Sequence, residues 1–198
     1  FDSLQLAPIY FLTATREGIG IINTVNLVRN LAATDTSGLD LTVGYAFDSE
    51  VGVFSADLNL NHILDVTRQA APSSPDVSVL DTFLNPVATN VRGQLGYQRG
   101  GSAARLIVSH KGRYKTDGTA AAQAIPSWTT ADLVLSQRLH GIGLGWMDEV
   151  EIGLSVTNLF DTAPPKTPTL GTSLISGYDP ANASPLGRFV AAELRIAF

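Results

Sequence analysis

The chain has 198 residues and a formal net charge of -5, with 16% charged and 44% hydrophobic residues. Soluble globular domains contain roughly 25% charged residues, so charge is depleted here without added hydrophobicity. The acidic balance and the absence of any Lys or Arg run exclude a nucleic-acid partner, and the absence of cysteine excludes disulfides and thiolate metal sites.

The N-terminal stretch, residues 1–23 (FDSLQLAPIYFLTATREGIGIIN), has neither the basic start nor the small-residue cleavage site of a signal peptide. No apolar run in the chain approaches the roughly 18 residues of a membrane-spanning helix. We expect residues 1–23 to form an extracellular loop or hairpin of a mature or truncated chain. The alternative is that residues 8–15 (PIYFLTAT) form an eighth spanning strand and close a small barrel, but this segment is short and alternates poorly.

Apolar and polar residues alternate with a period of two along the rest of the chain, and no segment of ten or more residues has a convincing helical period. In GLDLTVGYAF (38–47) the odd positions are apolar and the even positions are polar or small. VFSADLNLNHIL (53–64) combines an apolar face with a wholly polar one. This pattern predicts an all-β protein with seven membrane-length strands. Their predicted ranges are 24–47, 51–64, 88–98, 103–114, 128–139, 148–160 and 186–198.

The connections between these strands alternate in length. The turns DSEV (48–51), RGGS (99–102) and HGIGLGWMDE (140–149) are short to moderate. The linkers 65–87, 115–127 and 161–185 are long and rich in Pro, Ser, Thr and Asp. Short turns at one end and long loops at the other are typical of a transmembrane antiparallel β-barrel. A soluble β-sandwich is the alternative, but it has no reason to sort its connections by length.

In a spanning sheet the apolar face meets lipid and the polar face lines a lumen. Aromatic residues then lie near both ends of the apolar face, as an interfacial girdle requires. They are Tyr45, Phe47, Tyr97 and Phe198 at the periplasmic end and Tyr114 and Phe160 at the outer end. Trp128 has the wrong parity for lipid unless a bulge intervenes.

The strand count bears on how much of a barrel this chain contains. A complete bacterial barrel has an even number of strands. Seven strands that end in the periplasm place residue 24 at the outer surface. We therefore expect residues 24–198 to be the C-terminal segment of a larger barrel, whose earlier strands are absent from this chain.

Four motifs in the chain are similar to those of a known family. They are TSGLDL (36–41), VTNLFD (156–161), GYDPANASPLGR (177–188) and the terminal ELRIAF (193–198). In order and spacing they resemble the C-terminal part of a TonB-dependent outer-membrane receptor. The resemblance runs from about residue 20 to the end. It implies that this chain is about the last seven strands of a 22-stranded barrel, of the kind whose lumen is plugged.

The resemblance also implies a function. That function is active uptake of a scarce solute, such as a siderophore, cobalamin, saccharide or peptide, across the outer membrane of a Gram-negative bacterium. The implied partners are outer-membrane lipids, the missing plug and earlier strands, TonB acting through that plug, the outer-membrane insertion machinery and the solute or peptide ligand. The last strand resembles the signal that the insertion machinery reads. Its residues are Val190, Ala192, Leu194, Ile196 and Phe198.

Candidate ligand contacts lie on the polar face and in the long loops. The lumen-facing candidates are Asp57, Asn59, Arg92, Arg105 and Lys111, and the loops add the aromatic residues Phe83 and Tyr178. The three histidines, His62, His110 and His140, lack metal-ligand spacing, and no GxSxG motif occurs. GIGLG (141–145) lacks the GK[ST] ending of a phosphate loop. The sequence therefore predicts no catalytic residue, no cofactor and no metal.

Two other functions stay open at this point. A small complete outer-membrane barrel would have an adhesive or structural role. An outer-membrane barrel enzyme would need catalytic residues clustered at its rim, which the sequence does not indicate.

Overall fold

A computed structural model of the chain describes residues 10–14, 20–24, 33–140, 149–167 and 177–197. The regular elements in these ranges are β-strands, and the strand pairs are antiparallel, which confirms the predicted all-β antiparallel class. The strands are β1 (Tyr10–Ala14), β2 (Gly20–Thr24), β3 (Ala33–Ser49), β4 (Gly52–Gln69), β5 (Val77–Ser78), β6 (Thr89–Arg99), β7 (Ser102–Lys111), β8 (Tyr114–Lys115), β9 (Ala124–Ile125), β10 (Trp128–His140), β11 (Glu149–Thr157) and β12 (Phe189–Ala197). Within the described ranges, no helix is long and apolar enough to cross a membrane.

The first of two compact units contains the hairpin formed by β1 and β2. Tyr10 lies opposite Thr24 and Ala14 lies opposite Gly20, in a sheet of two strands. Thr24, which was predicted to begin the first long strand, therefore ends β2 instead. Whether residues 1–23 lie outside a membrane stays a prediction.

The second unit, residues 35–67 and 78–198, contains the large sheet. Its seven long strands lie side by side in chain order, β3, β4, β6, β7, β10, β11 and β12, and β5 pairs with β4. The number and order of the predicted long strands are confirmed. The first begins at Ala33 rather than at residue 24, and the other ends differ by up to five residues from those predicted. In the described part of the chain no pairing joins β12 to β3, so the sheet has two free edges and a closed barrel is not seen.

The pairing register aligns the alternating residues of all seven strands. One row runs across six strands and is apolar throughout; its members are Ala56, Leu95, Leu106, Leu133, Val156 and Val190. We call the side of the sheet that contains this row the apolar face. The neighbouring positions form the polar face, with rows such as Asn59, Arg92, Ser109 and Thr130. Because side chains alternate across a strand, the register keeps most apolar and polar residues on opposite sides of the sheet. The exceptions include Ile107 and Val134 on the polar face and His110 and Thr129 on the apolar face.

The connections sort by length as predicted. β3 and β4 are joined through a tight turn, and β6 and β7 through Gly100 and Gly101. At Gly52, which follows the first turn, φ is +138° and an added Cβ would lie 2.6 Å from the carbonyl oxygen of Gln98, so glycine is required there. The described parts of the long connections in this unit, residues 78–88, 112–127, 158–167 and 177–188, lie at the opposite end of the strands. We call the two ends the turn end and the loop end.

The predicted aromatic girdle is only partly as expected. At the turn end, Tyr45, Phe47, Phe54 and Tyr97 form a continuous chain of ring contacts with centroids 5.0 to 5.9 Å apart. Trp128 lies on the polar face, directly opposite Lys111 in an unbroken register, so no bulge turns it toward the apolar face.

The prediction for Tyr114 was wrong. Tyr114 is 4% exposed and belongs to the short strand β8 rather than to the end of a long strand. The chain leaves the large sheet after Lys111, so strand parity no longer decides where this side chain lies. Phe160 is exposed beyond the end of β11, and Phe198 lies outside the described residues.

Candidate functional site

The polar face at the loop end contains two neighbouring rows of polar side chains. In the first row the Thr42 hydroxyl donates to Asn59 Oδ1 (2.9 Å), and Arg92 Nη1 donates to Ser109 Oγ (3.2 Å). Asn59 lies opposite Arg92, and Arg92 lies opposite Ser109. The strands β3, β4, β6 and β7 therefore place one side chain each in this row.

The second row lies two residues closer to the loops. Asn61 Nδ2 donates to Asp40 Oδ1 (2.7 Å), and Asn61 lies opposite Asn90, which in turn lies opposite Lys111. Asn90 Nδ2 also donates to the carbonyl oxygen of Val87 (2.9 Å), which ties the row to the loop above it. The two rows line a groove with a volume of about 370 Å³. We call it the loop-end groove.

The structure separates the five ligand-contact candidates of the polar face. Asn59, Arg92 and Lys111 line the loop-end groove. Asp57 lies one row nearer the turn end, where its carboxylate accepts a long hydrogen bond from Gln94 Nε2 (3.4 Å). Arg105 lies nearer still to the turn end and lines a different groove of the same face, with a volume of about 530 Å³.

Segments from two long connections pack together into a small core. Val87, Tyr114 and Ile125 are buried against one another, and Phe83 packs on them. Strands β8 and β9 pair within this region, and the amide of Lys115 donates to the carbonyl oxygen of Asp81 (2.9 Å). We call the region formed by residues 81–88, 114–125 and 179–183 the loop cluster. The sequence predicted Phe83 and Val87 in one loop, Ile125 in another and Tyr114 at the end of a strand.

A buried carboxylate joins the third connection to this core. Asp179 is 0% exposed and accepts hydrogen bonds from the Leu84 amide (3.1 Å), the Ala181 amide (3.0 Å) and Asn182 Nδ2 (2.9 Å). Asn182 Nδ2 also donates to the carbonyl oxygen of Asn85 (2.9 Å). A buried charge is stable only where hydrogen bonds replace its hydration, and here three donors do so. Asp179 thus fixes the last long connection to the first.

Tyr114 adds a fourth interaction to Asp179. Burial raises the pKa of the Tyr114 hydroxyl, and the negative charge of Asp179 and a hydrogen bond to its carboxylate raise that pKa further. Sequence reasoning missed both residues. Asp179-Pro180 followed by Asn182 is a typical turn pattern, but nothing local indicates that its carboxylate is buried.

The loop cluster and the loop-end groove meet at Lys111. Lys111 Nζ lies 3.5 Å from Asn182 Oδ1, and the side chain is half-buried. Trp128, its cross-strand neighbour, has an indole Nε1 that is buried and has no hydrogen-bond partner in the described structure. One end of the groove is therefore formed by the ammonium group of Lys111, next to Asn182 of the last long connection.

At the turn end the polar face has a network of ion pairs. Arg138 lies 3.0 Å from Glu149 and 3.5 Å from Glu151, and Arg195 lies 3.7 Å from Glu151 and 3.1 Å from Glu193. The network crosses β10, β11 and β12. Because Arg138 and Arg195 are at least half exposed, solvent screens these pairs.

The histidines lie apart. His62 Nδ1 is 3.1 Å from the Thr89 hydroxyl, and His110 Nδ1 is 2.7 Å from the Thr129 hydroxyl, each within its own cross-strand pair. The side chain of His140 is outside the described residues. Across the part of the chain that the structure describes, no group of three or more His, Asp or Glu side chains is placed to hold a metal ion.

The residues of the predicted insertion signal lie on β12. Val190, Ala192, Leu194 and Ile196 are on the apolar face, opposite Val156, Leu154, Ile152 and Val150. Their role in insertion stays a prediction.

Chemically, the site offers hydrogen-bond donors, amide oxygens and two cations in one groove, closed at one side by the loop cluster. Such an arrangement suits reversible binding of a polar ligand, because its groups can replace the ligand's hydration. The chain matches no protein-family model, no curated protein and no solved structure.

Proposed function

We propose that this chain is a wall segment of a TonB-dependent active transporter, which takes up a scarce solute across the bacterial outer membrane. The solute classes are those of the resemblance: a siderophore, cobalamin, a saccharide or a peptide. The segment supplies part of the lipid-facing wall, part of the lumen lining and three outer loops. It forms about the last seven strands of a 22-stranded barrel.

The main support is the exposed apolar face of the large sheet. Its exposed large side chains include Leu39, Leu41, Val43, Tyr45, Phe47, Leu58, Leu95, Val108, Leu135, Ile152, Leu154, Val190 and Leu194. Soluble proteins rarely expose a continuous apolar surface of more than a few hundred Å². A hydrocarbon environment removes this cost, and it favours the separation of an apolar from a polar face that the strand register brings about in most rows.

The free edges of the sheet add a second argument. β3 and β12 each present one unpaired edge of backbone amides and carbonyls in the described structure. Unpaired backbone groups are too costly in hydrocarbon, so a sheet in a membrane must close. Further strands therefore complete the sheet in this proposal, and the plug and TonB are partners of the completed protein.

The first rival is a small complete barrel with an adhesive or structural role. It would need β12 to pair with β3 or with another strand of this chain. Residues 10–14, part of the segment that this rival requires as an eighth long strand, instead pair with β2 in a sheet of two strands. The second rival, a barrel enzyme, has no observation that favours it.

The membrane assignment is tested with a matched pair of labels. The chain has no cysteine, so Leu95→Cys and Gln94→Cys each give a single site for a nitroxide. Leu95 is 59% exposed on the apolar face, and Gln94 is its neighbour on the polar face. In liposomes we expect the label at residue 95 to be more accessible to oxygen than the label at residue 94, because oxygen partitions into lipid. We expect the label at residue 94 to be more accessible to a water-soluble nickel complex. Equal accessibility of both labels to the nickel complex would refute the membrane assignment.

The transporter class is tested separately by the coding sequence upstream of Phe1. A plug domain with a TonB box would support the class. A signal peptide directly before Phe1 would contradict it and favour the small barrel.

A further inference from the structure

The loop-end groove contains two cations that form no ion pair with a carboxylate within the described residues. Arg92 is exposed and donates to the neutral Ser109 hydroxyl, and Lys111 lies nearest to the neutral Asn182 oxygen. The ion pairs of the described residues involve Arg138 and Arg195, at the turn end.

The carboxylates near the groove are already engaged. Asp40 accepts from Asn61, on the far side of the groove from Lys111. Asp179 attracts Lys111 electrostatically, but its oxygens accept from Leu84, Ala181 and Asn182 and are fully buried. The positive charges of Arg92 and Lys111 therefore face the groove without direct neutralisation.

The two cations are also close enough to act on one molecule. Arg92 lies opposite Ser109 and Lys111 lies opposite Asn90, which makes the cations diagonal neighbours on adjacent strands. Diagonal neighbours have Cα atoms about 7 to 8 Å apart. Arg and Lys side chains at that spacing can bind two anionic groups of a small ligand at the same time.

Trp128 lies beside Lys111 on the next strand of the same face. Its indole Nε1 is buried without a hydrogen-bond partner in the described structure, and Trp128 is not among the residues that line the groove. Among the lining residues, Arg92 and Lys111 can only donate hydrogen bonds, so this side of the groove selects an acceptor. The position of Trp128 beside Lys111 makes it a reporter of binding there.

We propose that the loop-end groove binds a small ligand with at least two anionic groups, carboxylates or phosphates, held by Arg92 and Lys111. If this ligand is the transported substrate, the proposal rests on the proposed function. Binding of the ligand to the groove can be measured whether or not the chain is part of a transporter. A neutral saccharide fits less well, because it would leave both cations uncompensated in the groove.

The test uses the full chain in detergent and follows tryptophan fluorescence. The chain has two tryptophans, so Trp146→Phe leaves Trp128 as the reporter. The probes are citrate for carboxylates, pyrophosphate for phosphates and sucrose as the neutral comparison. We expect saturable binding of citrate or pyrophosphate, and the tighter of the two identifies the anion class. Arg92→Gln and Lys111→Gln should each weaken binding about tenfold, the effect of losing one charge-assisted hydrogen bond.

Two further variants control this experiment. Arg99→Gln removes a charge at the turn end of the same strand and should leave the affinity unchanged. Arg92→Lys keeps the charge and should retain most of the binding, which separates loss of the site from loss of the fold. Lack of saturable binding of both anions, equal weakening by Arg99→Gln, or tighter binding of sucrose would overturn the proposal.

The two proposals fail in different ways. If the anions bind but the label at residue 95 is not exposed to lipid, the membrane assignment is refuted and the groove assignment stands. A lipid-facing label without anion binding would refute the groove assignment alone.

Discussion

The carboxylate of Asp179 accepts a hydrogen bond from the backbone amide of Leu84, across 95 residues of chain. Leu84 has φ +61°, a left-handed conformation that is unfavourable for a leucine and persists only where the surroundings hold it. The side chain of Leu84 is exposed, so its own packing does not impose this conformation. The buried carboxylate is therefore one of the contacts that hold this part of the loop cluster, together with the hydrogen bonds within residues 81–88.

We predict that Asp179→Ala opens the loop cluster. The variant removes the side-chain acceptor of the Leu84 and Ala181 amides, and we expect a loss of about 3 kcal/mol in the local opening free energy. Hydrogen exchange at the Leu84 amide measures this loss. Asp179→Asn keeps one acceptor oxygen and should lose less. Asp117→Ala removes an exposed loop carboxylate that accepts from the Thr119 amide, and it should leave exchange at Leu84 unchanged. Protection at Leu84 that survives Asp179→Ala would contradict the prediction.

We predict that the loop cluster opens at alkaline pH. The raised pKa of Tyr114 means that the folded cluster binds the phenolic proton more tightly than the unfolded chain does. The stabilisation is complete below the ordinary tyrosine pKa of about 10 and decreases as the pH rises above it. A fluorophore on Gly118→Cys, which lies in open space, reports the opening. Tyr114→Phe should remove this pH dependence, and a dependence that persists in that variant would show that another group is responsible.

We predict that arginine substitution distinguishes the two faces of β11. Leu154 lies on the apolar face between Leu135 and Ala192, and Ser155 is the next residue on the polar face. In liposomes, Leu154→Arg should lower the free energy of unfolding by about 2 to 4 kcal/mol, because its charge enters hydrocarbon. Ser155→Arg should change it by less than about 1 kcal/mol, because its side chain stays in water. Urea titration measures both, and equal effects would contradict a lipid-facing Leu154.

We predict that the ion pairs at the turn end contribute little to stability. Arg138 is half exposed, so Arg138→Gln should lower the free energy of unfolding by less than about 1 kcal/mol. The effect should shrink further in 1 M salt, where screening acts within about 3 Å. Denaturant midpoints at low and high salt measure it. A loss above about 2 kcal/mol that is insensitive to salt would show that the network is structural.

The faces of the long strands were predictable because parity is a local property. Ala56 lies between Ser55 and Asp57, and Leu95 lies between Gln94 and Gly96. The register then places both in one row with Leu106, although Leu106 is followed by the apolar Ile107. Trp128 follows the same rule and lies on the polar face, as its position requires. Tyr114 does not follow it, because the chain has left the sheet and packs against Val87 and Ile125.

The composition of the candidate site was predictable only in part. Asn59, Arg92 and Lys111 were expected on the polar face, and their strands place them in one groove. Arg105 was expected beside them, but its position along β7 places it in the other groove of the polar face, nearer the turn end. The role of Asp179 could not be predicted, since its partners Leu84 and Asn85 come from another loop.

The sequence by itself determined the all-β class, the seven long strands, their two faces and the sorting of turns and loops. These follow from alternation along single strands and from connection lengths, and both are read from residues that are near one another in the chain. Only the tertiary structure decided which cations share a groove, and that Asp179 and Tyr114 are buried together. Those contacts join segments far apart in sequence, and they depend on strand order, register and loop packing, which no local pattern encodes.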